Sequence, residues 1–265
     1  MSDQAASLVL TGSLTGPDGA PALVLGNSLG TSRAVWDAVI PALAGRYRLL
    51  RFELPGHGGA PSPPGPYTVG QLGAGVTGLL DRHGIERADY LGISLGGMIG
   101  MWLAAHAPDR IGALGLVCTS AYLPPAQGWL DRADLVRARG MTAVRQQSLG
   151  RWFPPLFVRR EPALTEAFGA ELERIDPDGY AGCCAAIARM DLREVLSAIG
   201  APALVIAGTQ DPATPPDHAA RIASGIAGAR LLVVRGAGHL ATVTHPAETG
   251  AALAAHLAGA TGRSA

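Results

Sequence analysis

Short apolar runs alternate with longer stretches whose apolar residues recur at helical spacing. Residues 22–26 (ALVLG), 47–52 (YRLLRF), 88–93 (ADYLGI), 111–118 (IGALGLVC), 203–208 (ALVIAG) and 230–235 (RLLVVR) read as strands. A helix is predicted over 68–83, starting near Thr68, and another over 95–107. Helix-like segments also follow 203–208 and 230–235. Strands separated by helices predict a mostly parallel central sheet flanked by helices, an α/β architecture. No repeat of solenoid type is present.

The pattern changes between about 120 and 195, where strand signals vanish. Leu130, Leu135, Val136, Met141 and Val144 fall at helical spacing, and the stretch holds Trp129, Trp152, Phe153, Phe157 and Phe168. A helical cap inserted after the fourth predicted parallel strand is the expectation, with 121–195 as cap and 1–120 plus 196–265 as core. Ligands of open α/β sheets bind outside the carboxyl ends of the strands, where such an insertion sits. The aromatics either line a pocket there or pack the cap onto the sheet.

Composition narrows the function. A chain of 265 residues buries a full core without a disulfide or metal staple, and 48% hydrophobic against 16% charged residues argues against disorder. The 21 basic residues balance the 21 acidic ones, which removes a generic electrostatic drive toward nucleic acid or anionic membrane. No apolar stretch approaches the length of a membrane span. Every basic residue is Arg, so lysine Schiff-base and pyridoxal chemistry are excluded. Cys118, Cys183 and Cys184 form no disulfide framework. MSDQAASLVL has no basic segment followed by an apolar run, so no secretory leader and a reducing cytoplasm are expected.

Candidate chemistry begins at Gly92-Ile93-Ser94-Leu95-Gly96, a G-x-S-x-G pentapeptide between a predicted strand and a predicted helix. Such a turn is sharp and strained, lifts the hydroxyl beyond the strand ends, and brings positions 92 and 96 too close for side chains. Gly97 lets the helix pack against the next strand. A serine hydroxyl needs a base, and in this arrangement the order is serine, acid, histidine. His239, in Gly236-Ala237-Gly238-His239, follows the last strand. His245 reads as the start of the final helix; His57, in LPGHGG, sits in a loop after a strand and either approaches the pocket or, the favoured reading, makes a turn. His83, His106, His218 and His256 fall on helix-like stretches, as surface or packing residues. Asp211 follows the 203–208 strand and is the acid that would orient the imidazole; the segment after 111–118 offers no carboxylate. Ser94, Asp211 and His239 are therefore the candidate catalytic residues.

Acyl transfer also needs oxyanion donors. One is the backbone N–H of Leu95. The other comes from the loop Asn27-Ser28-Leu29-Gly30-Thr31, where many such hydrolases carry His-Gly-x-Gly; alignment places the donor at Leu29. Asn27 departs from that pattern, and Ser28 adds a hydroxyl near the site.

These segments together resemble the 3-oxoadipate enol-lactonases, α/β hydrolases of aromatic-compound degradation, over nearly the whole chain. GNSLGTSRAVWD is similar to that family's oxyanion segment, LPGHGGAPSPPGPYTV to its next loop and GISLGGMIGMWLA to its elbow. RWFPPLF, DPDGYAGCCAAIARMDLRE, LVIAGTQDPATPP and GAGHLATVTHP extend the match. The resemblance implies an α/β-hydrolase fold and hydrolysis of 3-oxoadipate enol-lactone to 3-oxoadipate, with no cofactor and no metal. The implied partner is a small lactone or ester carrying a carboxylate. Arg132, Arg137, Trp129 and Trp152 are the candidates to receive it, with Ser28 beside them. The N-terminal hairpin before residue 20 is short and weakly patterned, and no fused decarboxylase domain is expected after the small-residue tail.

Two other readings remain at this level. A sister hydrolase (carboxylesterase, carbon–carbon bond hydrolase or perhydrolase) would keep Ser94, Asp211 and His239 and differ in the cap. A ligand-binding protein on the same scaffold would have no need of all these groups together. Epoxide hydrolases and haloalkane dehalogenases use an aspartate where this chain has Ser94.

Overall fold

The computed structural model describes residues 8–261. The segment on which the leader expectation rests lies largely outside them, as does the end of the C-terminal tail. A seven-stranded sheet has the order β1-β3-β2-β4-β5-β6-β7. Its strands are β1 (Gly12–Thr15), β2 (Ala22–Gly26), β3 (Arg48–Phe52), β4 (Ala88–Ile93), β5 (Ile111–Val117), β6 (Ala203–Gly208) and β7 (Arg230–Val234). All neighbouring pairs are parallel except β1 with β3. The six predicted strands are all present, within a residue at each end. The expected N-terminal hairpin is replaced by an edge strand: β1 pairs with β3, not with its sequence neighbour β2. Its four residues are half-buried or exposed, so no apolar alternation marks it.

The helices are α1 (Ile40–Leu43), α2 (Val69–Arg82), α3 (Leu95–His106), α4 (Ala126–Arg139), α5 (Thr142–Trp152), α6 (Pro155–Arg160), α7 (Pro162–Glu173), α8 (Pro177–Arg189), α9 (Pro216–Gly225), α10 (Ala241–Thr244) and α11 (Pro246–Thr261). Thr68 begins α2 with a capping box: its hydroxyl accepts from the Gln71 amide at 3.1 Å and the Gln71 side chain accepts from the Thr68 amide at 2.9 Å. Strands β2, β4 and β6 are almost wholly buried, as covered parallel strands must be. Successive strand residues point to opposite faces. A Cβ on Gly100 of α3 would touch Leu114, whereas one on Gly115 would touch Leu253 of α11, so α3 and α11 cover opposite faces.

Helices α4 to α8 are interposed between β5 and β6. The chain enters and leaves them side by side: Tyr122 bridges Asp191, and the Leu192 amide donates to Ala121 O at 2.8 Å. Phe153 stacks on Phe157 at 5.2 Å and meets Phe168 edge-on at 5.4 Å, so these three rings hold the insertion together. No helix among the described residues is long and apolar enough to cross a membrane.

The strand-to-helix turn between β4 and α3 depends on absent side chains. A Cβ at Gly92 would lie 2.3 Å from Gly96 O, and one at Gly96 would lie 2.3 Å from Gly26 C and O. Gly97 faces the Thr119 side chain, where a Cβ would lie 2.7 Å away. Gly96→Ala is therefore expected to destabilise the fold by about 3 kcal/mol. Gly150→Ala, in α5 with nothing within 4 Å, should stabilise it by about 0.5 kcal/mol. Equilibrium urea unfolding of the two variants checks both.

Candidate active site

The carboxyl ends of the strands deliver the candidate residues to one place. Ser94 sits between β4 and α3 at φ 55 and ψ −118, in the region L-residues rarely occupy. Its amide donates to Val117 O at 3.0 Å and its carbonyl accepts from Thr119 Oγ1 at 2.7 Å, which pins the strained residue. Asp211 follows β6 and His239 follows β7. Their side chains meet, His239 Nδ1 to Asp211 Oδ2 at 2.9 Å, both buried. That contact leaves the other imidazole nitrogen, Nε2, for a second partner. Ser94 and His239 line the same cavity.

Asp211 is held by more than the imidazole. Oδ1 accepts from the amides of Ala213 (2.8 Å) and Thr214 (3.0 Å), and Oδ2 accepts from Thr214 Oγ1 at 2.7 Å. Burial acts to raise its pKa, but the charge and hydrogen bond of His239, with the two hydrogen bonds from Thr214, hold the carboxyl below the usual range. An ionised, fully bonded carboxylate can fix one tautomer of His239 and stabilise its protonated form.

The cavity encloses about 270 Å³, room for a small molecule. The core contributes Ser28, Leu29, Ser94 and His239 to its wall. The insertion contributes Trp129, Arg132, Arg151 and Trp152. The insertion's tryptophans and phenylalanines thus divide: Trp129 and Trp152 line the cavity, beside Tyr180, and the three phenylalanines pack on one another. Ser28 is buried, and its hydroxyl has no protein partner. Among the described residues the amides of Leu29 and Leu95 donate to no protein acceptor, whereas the Gly96 amide beside them donates to Asn27 O at 2.9 Å.

Arg132 is buried and held from three sides. Nε donates to Tyr180 Oη at 2.8 Å, and one terminal nitrogen donates to Ser148 Oγ at 2.6 Å; the other meets Gln147 Oε1. Its guanidinium also lies 5.6 Å from the Tyr180 ring centroid. Arg137 does not join it. Arg137 is 41% exposed and pairs with Asp134 and Asp178, outside the cavity lining. Five residues turn a helix through about 500°, so Arg132 and Arg137 point roughly 140° apart. The second cavity guanidinium is Arg151, the first residue of the RWFPPLF segment. Burial and the nearby Arg132 charge push its pKa down. Among the described residues neither Arg132 nor Arg151 has a carboxylate within ion-pair distance, unlike Arg137 and Arg145.

Two buried groups beneath the 27–33 loop were not singled out from sequence for these positions. His57 Nε2 accepts from the Gly30 amide at 3.0 Å. Glu53 accepts from Asn27 Nδ2 and from the Arg33 amide, each at 3.2 Å. Cys118, Cys183 and Cys184 are buried free thiols.

A model of the alpha/beta hydrolase fold matches residues 21–246. The chain belongs to the α/β hydrolase family. It is 39% identical to 3-oxoadipate enol-lactonase 2 of Acinetobacter baylyi, over 85% of this chain and 84% of that one. The solved enol-lactonase of Burkholderia xenovorans LB400 superposes with a TM-score of 0.92 at 37% identity, covering 94% of this chain and 96% of that one. A hydrolase from Pseudomonas aeruginosa PA01 superposes with a TM-score of 0.90 at 43% identity, covering 94% of both chains. The resemblance to the enol-lactonases is borne out, and this chain is a hydrolase.

Glu53 supplies a prediction about pH. Burial is the largest influence and raises its pKa from 4.5 to about 7, against the hydrogen bond and charge of Arg33. A folded-state pKa above the unfolded one favours the fold while the carboxyl is neutral. That contribution is fully present below about pH 4.5 and is lost as pH rises through about 7. Glu53→Gln keeps an acceptor oxygen and cannot ionise. Urea unfolding at about pH 5 and about pH 8 should show the wild type losing roughly 2 kcal/mol more than the variant between them.

Proposed function

We propose that this chain is a serine lactonase that opens 3-oxoadipate enol-lactone to 3-oxoadipate. The observation that carries the reading is the pairing of Ser94 and His239 with two guanidiniums, Arg132 and Arg151, that lack protein carboxylates. A cavity so lined favours an anionic acyl compound of small size. The names of the relatives supply the lactone.

On this reading His239 Nε2 takes the Ser94 proton while Oγ attacks the lactone carbonyl. Asp211 steadies the imidazolium through Nδ1. The oxyanion rests on the amides of Leu29 and Leu95, and the Ser28 hydroxyl is free to donate to the substrate. The ring C–O bond breaks; its oxygen leaves as an enolate, takes the proton from His239 as the enol, and tautomerises to the ketone. Water, deprotonated by His239, then attacks the acyl-enzyme, and Ser94 leaves with the proton. Arg132 and Arg151 hold the substrate's free carboxylate, and helices α4 to α8 act as the cap that carries them. The free thiols fit a cytoplasmic setting.

Loss of the enol-lactone's ultraviolet absorbance measures the reaction. Wild type should turn the lactone over far faster than p-nitrophenyl acetate, and Ser94→Ala should abolish both. Arg132→Met should lower kcat/KM for the lactone about 100-fold and leave the neutral ester within about threefold. Efficient ester cleavage without lactone cleavage would assign the protein to a sister hydrolase instead.

A further inference from the structure

In the loop that carries the Leu29 amide, each of the four amides that follow it is engaged. Thr31 N donates to Ser28 O at 3.2 Å, Ser32 N to Glu171, and Arg33 N to Glu53 at 3.2 Å. Gly30 lies at φ 86, and a Cβ there would sit 2.8 Å from the Trp152 ring, so this position tolerates only glycine. The Gly30 amide donates to His57 Nε2 at 3.0 Å. The adjacent Leu29 amide has no acceptor among the described residues.

The state of His57 follows from its contacts. Nδ1 lies 2.8 Å from Pro55 O, and a carbonyl only accepts, so Nδ1 carries the proton and Nε2 is a bare acceptor. The ring is fully buried and stacks on Tyr180 at 6.1 Å and 18°. Burial lowers its pKa to about 4, so the imidazole stays neutral. Around it, Gly56, Gly58 and Gly59 all take positive φ, and a Cβ at Gly58 would lie 2.4 Å from the Glu53 carboxyl. The glycines of LPGHGG fold this turn tightly enough to bring the imidazole under the loop.

We propose that His57 is a positioning residue for the oxyanion hole: its Nε2 takes the Gly30 amide and so holds the 28–31 loop with the Leu29 amide free and facing Ser94. This rests on the acyl-enzyme reading above. A loop released from His57 would still bind substrate through the cap but would present the Leu29 donor poorly to the developing oxyanion. The effect belongs to kcat and not to KM.

The test uses two replacements that each copy one imidazole nitrogen. His57→Asn places an amide nitrogen near Nδ1 and falls short of Gly30; His57→Gln carries an oxygen out to the position of Nε2. The Asn variant should lose kcat by about 100-fold with KM within about twofold, and the Gln variant should recover to within about tenfold of wild type. Labelling of Ser94 by a fluorophosphonate, which needs the same donors, should slow in the same order. Equal kcat in the two variants, or a loss confined to KM, would overturn the proposal. A wild type that fluorophosphonate leaves unlabelled removes the acyl-enzyme reading and this inference with it; equally fast labelling of wild type and the Asn variant removes only the role of His57. Should the Asn variant fail to fold, 15N NMR of the wild-type imidazole decides. A neutral ring with Nδ1 protonated down to about pH 5 supports the proposal, and a proton on Nε2 contradicts it.

Discussion

At Ser94 the backbone holds φ 55 and ψ −118, a conformation costing of order 1–3 kcal/mol that persists only where its surroundings impose it. The surroundings here are backbone against backbone. Gly26 of β2, Gly92 of β4 and Gly96 of α3 approach so closely that no Cβ fits at any of them, and Tyr90 Oη donates to Gly96 O at 2.8 Å across the same contact. Everything in the site is registered to this crossing. It turns the serine out of the sheet and starts α3 immediately behind it, leaving the Leu95 amide without an acceptor among the described residues. The Asn27 carbonyl accepts the Gly96 amide, which ties the start of the 27–33 loop to the same turn. The sheet, with β6 beside β5 and β7 beyond β6, then sets how far Asp211 and His239 stand from the serine.

Charge is distributed with equal economy. The chain is formally neutral, and Arg51, Arg110, Arg137, Arg145, Arg193 and Arg221 each pair with an exposed acid. The cavity departs from that balance. Its buried acid, Asp211, is committed to His239 and to Thr214, while Arg132 and Arg151 are held by neutral groups or by burial alone. A net-neutral hydrolase thus keeps two guanidiniums without carboxylate partners on its cavity wall, and on the proposed reading they would favour a small anion over a neutral ester without any long-range attraction. Because Tyr180 both receives Arg132 and stacks on His57, one residue of α8 touches the charged wall of the cavity and the imidazole that bonds the 27–33 loop.

The sheet and the elbow were legible because they depend on local rules: apolar runs for buried strands, glycine where backbones touch, a capping box at Thr68. Asp211 and His239 were legible because each follows a strand whose carboxyl end had to face the serine. The arginines were not. Arg132 and Arg137 lie on one helix with equal claims from sequence, and only the phase of α4 against α8 separates them. Arg151 stands at the end of α5, where no motif marks a cavity. For His57 the turn reading was favoured over an approach to the pocket, and its amide does close a turn onto Leu54 O at 3.0 Å. The contact between its ring and Gly30 joins two loops far apart in sequence, and no pattern within either loop announces it. Glu53 was hidden for a similar reason: a carboxylate at a strand end reads as solvated until Gly58 and Arg33 are seen to close over it.

The most direct test is a crystal structure of the protein with a small alkyl boronic acid that carries a carboxylate. The account predicts boron bonded to Ser94 Oγ, one boronate oxygen on the amides of Leu29 and Leu95, and the carboxylate on Arg132 and Arg151. A boronate bonded elsewhere, or one seated on Ser94 with its carboxylate turned away from both arginines, would contradict it.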